Sequence, residues 1–292
     1  VRNSDLHTPA YQATKARLSS RFGEDVTTPW WEGLAQTLAV LGTRWKLTIG
    51  EPVGSGNTSL VLWCTMAGRG SAVLKLTPDA GIASAEATAL RQWASSSRVP
   101  EVWGSDTGAV LLEAVHSGHP GPDVALSEVA GLIGDLHAAG DPSASTHDLT
   151  DRIEFIFGLY RRRYPRARGL AGGKALALRL AARPLRRVLL HGDLHPGNVL
   201  ADPGRGLIAI DPRPCAGDAA VDAVDWVFLS AASARAWRRR CAELASALGF
   251  DEQRLWAWCV AFAPLLAAGT TDPAVRAELL GLTTGENQVV EE

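Results

Sequence analysis

The chain has 292 residues, 46% of them hydrophobic, with a formal net charge of −2 and a pI near 6.4. That apolar share supports a substantial core, expected in two lobes, and the near-neutral charge leaves no basic footprint for nucleic acid. No uncharged apolar run reaches the length of a membrane span, and the polar first twenty residues lack the apolar stretch of a secretory signal. Cys64, Cys215, Cys241 and Cys259 are widely spaced without a C-x-x-C pair, as in reduced cysteines of a cytoplasmic protein. Only four of the 29 basic residues are lysine, so a lysine inside an apolar strand stands out.

Residues 11–21 and 29–41 are expected to be helices. In the second, Leu34, Leu38 and Leu41 recur at i, i+4 and i+7 and suit packing rather than chemistry. From Trp45 the pattern changes to strands over 45–49, 60–65 and 71–77. Gly54, Ser55, Gly56, Asn57, Thr58 and Ser59 form the turn between the first two. Such a turn can lay backbone N–H groups against phosphate oxygens, although alone it fits an ordinary hairpin equally well. It is not a P-loop, because G-x-x-x-x-G-K-[ST] is absent.

Lys75 lies in the third strand among apolar neighbours. A buried ammonium needs an anionic partner, and Glu86, in an expected helix over 82–93, is the candidate. A Lys–Glu pair of this kind can hold the α- and β-phosphates of a nucleotide; the alternative is an edge-strand lysine reaching water along its stem. Strands over 102–104 and 109–115 follow. The second is long and apolar, as for a central strand ending at a hinge, and the backbone from Glu113 to Val115 is a place for an adenine to bond.

Ser127 opens an amphipathic helix bearing Val129, Leu132, Ile133 and Leu136, with His137 near its end as a structural residue. Residues 141–182 are arginine-rich and expected to be helical. The densest chemistry lies in 188–218. Apolar Val188, Leu189 and Leu190 lead into His191-Gly192-Asp193-Leu194-His195-Pro196-Gly197-Asn198. A hairpin follows over 199–201 and 207–210, turning at Asp202-Pro203-Gly204 and ending on Asp211. Asn198 and Asp211 suit Mg²⁺, a hard cation that shares oxygen ligands with phosphate, and Asp193 is placed to take a proton from a hydroxyl. A surface hairpin with solvated acids is the bland alternative. A zinc hydrolase built on His191, Asp193 and His195 is the sharper one, but the other five histidines form no second cluster. Beyond it, Asp218, Asp222 and Asp225 are spaced to share one side of a helix, bracing the loop or facing a cationic substrate. Residues 231–284 are expected to be helical, with Trp237, Trp256 and Trp258 in the core or, alternatively, walling a ligand.

Taken together, His191 to Asn198 and Ile210-Asp211-Pro212 resemble the aminoglycoside phosphotransferase family of kinase-like enzymes. Ala209 to Asp218 is similar to its streptomycin 6-kinase and hydroxyurea phosphotransferase branch. The resemblance implies an α+β, protein-kinase-like bilobal fold, with an antiparallel-sheet lobe over 1–115 and a larger helical lobe over 116–292. It implies ATP and Mg²⁺ as cofactors and a phosphoryl transfer to a hydroxyl of a streptomycin-like aminoglycoside or hydroxyurea. Asp193 would be the catalytic base and Asn198 and Asp211 the metal ligands. Lys75 paired with Glu86, the turn from Gly54 to Ser59, and Glu113 and Val115 would hold the nucleotide. Asp193, Asp218, Asp222 and Trp256 would face the substrate. The partner would be a small molecule, with the protein monomeric and bound to neither nucleic acid nor membrane. An amino-sugar kinase of metabolism and a nucleotide-binding pseudokinase are the alternatives. A protein kinase is disfavoured because Pro-Arg follows Asp211 and no A-P-E segment is present.

Overall fold

A computed structural model of the chain describes residues 5–54 and 58–283. They divide into two compact units: the residues up to Arg91 together with Pro100–His116, and Gln92–Val99 together with Ser117 onward. The expected two-part division placed 92–99 with the first lobe; here they pack with the second unit.

The first unit opens with three helices, α1 (Pro9–Phe22), α2 (Glu24–Glu32) and α3 (Leu34–Arg44). Pro29 was expected to begin a helix running through Leu41; it lies inside α2 instead, and the chain breaks at Gly33 before α3 starts. Five strands then form an antiparallel sheet: β1 (Leu47–Pro52), β2 (Leu60–Met66), β3 (Gly70–Leu76), β4 (Val102–Asp106) and β5 (Ala109–Glu113), in the order β1-β2-β3-β5-β4. Helix α4 (Ala80–Gln92) follows β3. Because side chains alternate across a strand, Leu60, Leu62, Ala72, Leu74 and Leu76 share one sheet face. They join Leu18, Trp31, Leu34, Leu38 and Leu41 of the three helices in one core. Lys75 is thereby left on the opposite face.

The second unit is mainly helical: α5 (Leu126–Ala139), α6 (Leu149–Arg163), α7 (Leu170–Ala181), α8 (Val224–Phe228), α9 (Ala234–Leu248), α10 (Glu252–Gly269) and α11 (Pro273–Gly281). Two small antiparallel ladders are set among them. Strand β6 (Arg187–Leu190) pairs with β9 (Cys215–Asp218), and β7 (Val199–Asp202) with β8 (Gly206–Ala209). The second ladder is the expected hairpin, its turn closed by Asp202 Oδ1 accepting from the backbone N–H groups of Gly204 and Arg205. Trp226, Trp237 and Trp258 are fully buried. All four cysteines are free and buried; burial pushes the Cys64 thiol up to about 11 and the Cys215 thiol up to about 12.

Candidate active site

In the first unit, Lys75 Nζ lies 2.5 Å from Glu86 Oε1. Both side chains are buried, Glu86 at 2% exposure, so removing either would strand a charge away from water. The pairing follows from β3 alternation, which turns Lys75 away from the helix-packed core, and from the apolar face of α4, where Glu86 sits between Ala83 and Ala87. Thr58 and Ser59 are buried just before β2, and a Cβ built on Gly54 would meet nothing within 4 Å. Ser55, Gly56 and Asn57 lie outside the described residues. Along the stretch expected to bond an adenine, the Glu113 N–H bonds the Glu101 carbonyl and the next N–H, of Ala114, bonds that of Ser71. Sheet pairing uses these donors, and Val115, also buried, follows the strand's end.

In the second unit, the segment from His191 to Asn198 is gripped from several sides. Arg152, on α6, donates through Nη2 to Asp193 Oδ1 at 2.7 Å and through Nε to the Gly192 carbonyl at 2.9 Å. Asn198 Nδ2 donates to the Asp193 carbonyl at 2.9 Å and its Oδ2 at 3.3 Å. Both oxygens of the Asp193 carboxylate are therefore located. Gly192 adopts φ +73°, and a Cβ there would come within 2.1 Å of the Arg213 carbonyl oxygen, so only glycine fits this crossing.

His191 is fully buried, stacked on Trp93 at 6.0 Å between ring centroids, with Nε2 3.0 Å from the Ile210 carbonyl. Burial depresses its pKa against the carboxylates nearby, so the neutral ring donates from Nε2 to that carbonyl. His191, so used, is lost to the zinc alternative, and His195 Nδ1 accepts from the Gly197 N–H. Among the described residues no three His, Cys, Asp or Glu side chains converge to hold a metal.

Asn198 and Asp211 meet at one end of the hairpin. Val199 pairs with Ala209 in the ladder, and the Ile210 N–H continues it by bonding the Asn198 carbonyl at 2.9 Å. Asp211 follows at once with φ 56°, a left-handed conformation that turns the chain sharply out of β8. With its amide nitrogen donating to Asp193, Asn198 keeps its amide oxygen as the acceptor for a cation. Two oxygen donors fit Mg²⁺, which takes one or two protein ligands and completes its shell with phosphate and water.

The three acids beyond the hairpin do not share a helix face. Asp218 ends β9 and caps the next turn through the Ala220 N–H; its carboxylate meets the Arg254 guanidinium at 2.6 Å. Asp222 is 3% exposed. Its Oδ2 accepts from the His191 N–H at 2.9 Å and contacts His137 Nε2 at 3.0 Å, while Oδ1 accepts from the Gly192 N–H at 3.0 Å. Burial works to raise its pKa, but the hydrogen bond and charge of His137, with His191 and the Gly192 amide, outweigh it and leave the pKa lowered. Trp256 is buried at 4% exposure, with Arg238 3.8 Å from the centre of its ring. Asp218, Asp222 and Trp256, expected to face substrate, are buried in these contacts, and Asp222 braces the loop, the other role expected of the acids. Arg152 was not anticipated, since an arginine 41 positions before Asp193 in a basic helix carries no local signal.

Asp225 differs from its two neighbours. Burial pushes its pKa up to about 6, with His195 drawing it down and the Asp193 carboxylate pushing it further up. A folded-state pKa above the ordinary 3.8 means that the native state binds the extra proton, so this contribution is full below about 4 and lost as pH rises through about 6. We expect Asp225→Asn to raise the melting temperature at pH 7.5 and to change it little at pH 4.5. Equal shifts at both values, by thermal denaturation, would count against this account.

A two-unit α+β chain whose loop aspartate is fixed beside an Asn and an Asp at a hairpin's end has the arrangement of a kinase-like phosphotransferase. Residues 44–273 match the aminoglycoside/hydroxyurea antibiotic resistance kinases, and the chain belongs to that family. It is 32% identical to a hydroxyurea phosphotransferase of Kitasatospora aureofaciens over 82% of this chain and 73% of the relative. It is 33% identical to a streptomycin 6-kinase of Streptomyces glaucescens, over 83% and 84%. Among solved structures, choline kinase LicA from Streptococcus pneumoniae shares the fold, with a TM-score of 0.59 at 11% identity over 86% of this chain and 96% of that one. The protein is thus a phosphotransferase acting on hydroxyl groups, and its family implies the use of ATP. No helix among the described residues is long and apolar enough to cross a membrane.

Proposed function

We propose that the chain phosphorylates a hydroxyl of a small antibiotic, with streptomycin-like aminoglycosides and hydroxyurea as the first acceptors to test. The observation that carries this reading is the Asp193 carboxylate, held at one oxygen by Arg152 and at the other by Asn198. Asp193 orients the acceptor hydroxyl and takes its proton as the oxygen bonds to the transferred phosphorus and the bond to ADP breaks. Lys75, held by Glu86, binds the α- and β-phosphates; Gly54, Thr58 and Ser59 supply part of the turn over them; and backbone near Val115 takes the adenine. Asn198 and Asp211 hold Mg²⁺, which neutralises charge on the phosphates when bound. Free, buried thiols suit a reducing compartment such as the cytoplasm.

The test is Mg²⁺-ATP consumption by the purified protein across streptomycin, other aminoglycosides, hydroxyurea and glucosamine, with product mass read for each. We expect ADP release matched by one added phosphate on at least one acceptor. Nucleotide binding with no phosphorylated product from any of them would count against the reading.

A further inference from the structure

The side chain that fixes Asp193 comes from outside the loop that carries it. Arg152 is the fourth residue of α6, just past a turn closed by the Asp148 N–H donating to Asp151 Oδ2 at 3.1 Å. This helix start is locked to the strand pair that leads into the loop. Asp148 is ion-paired with Arg187 at the head of β6, and the Ala216 N–H of β9 donates to the His147 carbonyl at 2.9 Å. Leu149 packs so closely on Gly217 of β9 that a Cβ there would come within 2.5 Å of it. A guanidinium delivered from this turn has little freedom to drift relative to the loop.

One edge of that guanidinium joins backbone to side chain, with Nε on the Gly192 carbonyl at 2.9 Å and Nη2 on Asp193 Oδ1 at 2.7 Å. The Gly192 N–H is held by Asp222 Oδ1 at 3.0 Å, so both peptide units around Gly192 are pinned before the chain reaches the Asp193 side chain. That side chain is 32% exposed, and without a partner it would exchange among staggered rotamers. Its two oxygens are not held alike. The Asn198 amide lies nearer the Asp193 carbonyl, at 2.9 Å, than Oδ2, at 3.3 Å, which leaves Oδ2 the more open of the pair.

We propose that Arg152 is a positioning residue for phosphoryl transfer: its two-point hold sets the Asp193 rotamer and occupies Oδ1, so that Oδ2 receives the proton of the acceptor hydroxyl. The inference rests on the kinase reading above and adds to it a residue that acts through Asp193. As the hydroxyl oxygen bonds to the γ-phosphorus and the bond to ADP breaks, the hydroxyl proton passes to Oδ2, and Arg152 neither gives nor takes one. The geometry asks for arginine in particular. A lysine keeps the charge but lacks the planar fork that reaches a carbonyl and a carboxylate together.

The test uses Arg152→Met, Arg152→Lys and Arg152→Ala, with Mg²⁺-ATP and either streptomycin or hydroxyurea as acceptor. Crystal structures of the parent and of Arg152→Met are compared. We expect kcat to fall about a hundredfold in Arg152→Met, the scale of a misplaced reacting group. KM for ATP and for the acceptor should stay within about threefold. Arg152→Lys should recover only part of the loss. Added guanidinium should raise kcat of Arg152→Ala by about tenfold or more, while urea, of similar shape but uncharged, should not. In the crystal of Arg152→Met, the Asp193 carboxylate should leave its single rotamer while Asn198 stays in place.

A kcat for Arg152→Met within about threefold of the parent or above it, or an Asp193 carboxylate unmoved in that crystal, would overturn the inference and leave the kinase reading standing. If Arg152→Met does not fold, full activity in Arg152→Lys would overturn it equally. No phosphorylation of either acceptor by the parent, with Asp193 displaced in Arg152→Met, would support the hold on Asp193 and count against the kinase reading.

Discussion

Asp193→Asn should lower turnover by about a thousandfold while leaving the fold intact, since a positioned general base is commonly worth 10²–10⁴. The substitution conserves size, and the asparagine oxygen can still accept from Arg152, which reaches Asp193 Oδ1 at 2.7 Å. What it removes is the capacity to take a proton and the charge that orients a hydroxyl. The KM for ATP should move little, because nucleotide contacts are assigned to Lys75 and its neighbours. A loss confined to kcat is the signature of an interaction made in the transition state. The melting temperature should stay within a few degrees of the parent. Turnover within about threefold of the parent would displace Asp193 from the role of base.

The largest effect on stability should come from Asp222→Ala. That carboxylate, 3% exposed, receives two consecutive backbone N–H groups, of His191 and Gly192, and the imidazole of His137. Truncation leaves three donors buried without their acceptor and a void in their place. Breaking a buried charged network from one side costs about 3–5 kcal/mol, so chemical denaturation should show a loss in that range. Asp222→Asn, which keeps one acceptor oxygen, should lose less. Activity should fall with both, because the two amides hold the residues immediately before Asp193. A loss below about 1 kcal/mol for Asp222→Ala would mean that the loop is secured by other contacts.

Much of this was visible in the sequence where rarity or strict periodicity carried the signal. Lys75 was conspicuous as one of four lysines in an apolar strand, and its ion pair with Glu86 needs only the geometry of a strand followed by a helix. The hairpin that brings Asn198 and Asp211 together was legible from its two apolar runs and its Asp-Pro-Gly turn. Strand β9 was not. Cys215-Ala216-Gly217-Asp218 has no strand propensity of its own, and it becomes extended because β6 offers it a ladder of backbone partners. The acids at 218, 222 and 225 misled for a related reason. Spacing of three and four residues suggests one helical face, but the chain there passes from a strand end through a short turn into α8, so each carboxylate meets a different environment. Arg152 became meaningful only once α6 was placed beside the loop, because long-range partners leave no trace in local spacing.

The sealed thiols have a practical consequence. Burial pushes the Cys64 thiol up to about 11 and the Cys215 thiol up to about 12 and raises the Cys259 thiol as well, so these groups carry almost no thiolate at neutral pH, and all four cysteines are buried. The folded chain therefore offers a quiet background for maleimide chemistry. A single cysteine introduced at Leu185, a position 68% exposed, would be the one fast-reacting sulfur, so a dye or spin label could be attached without first stripping the native cysteines from the core.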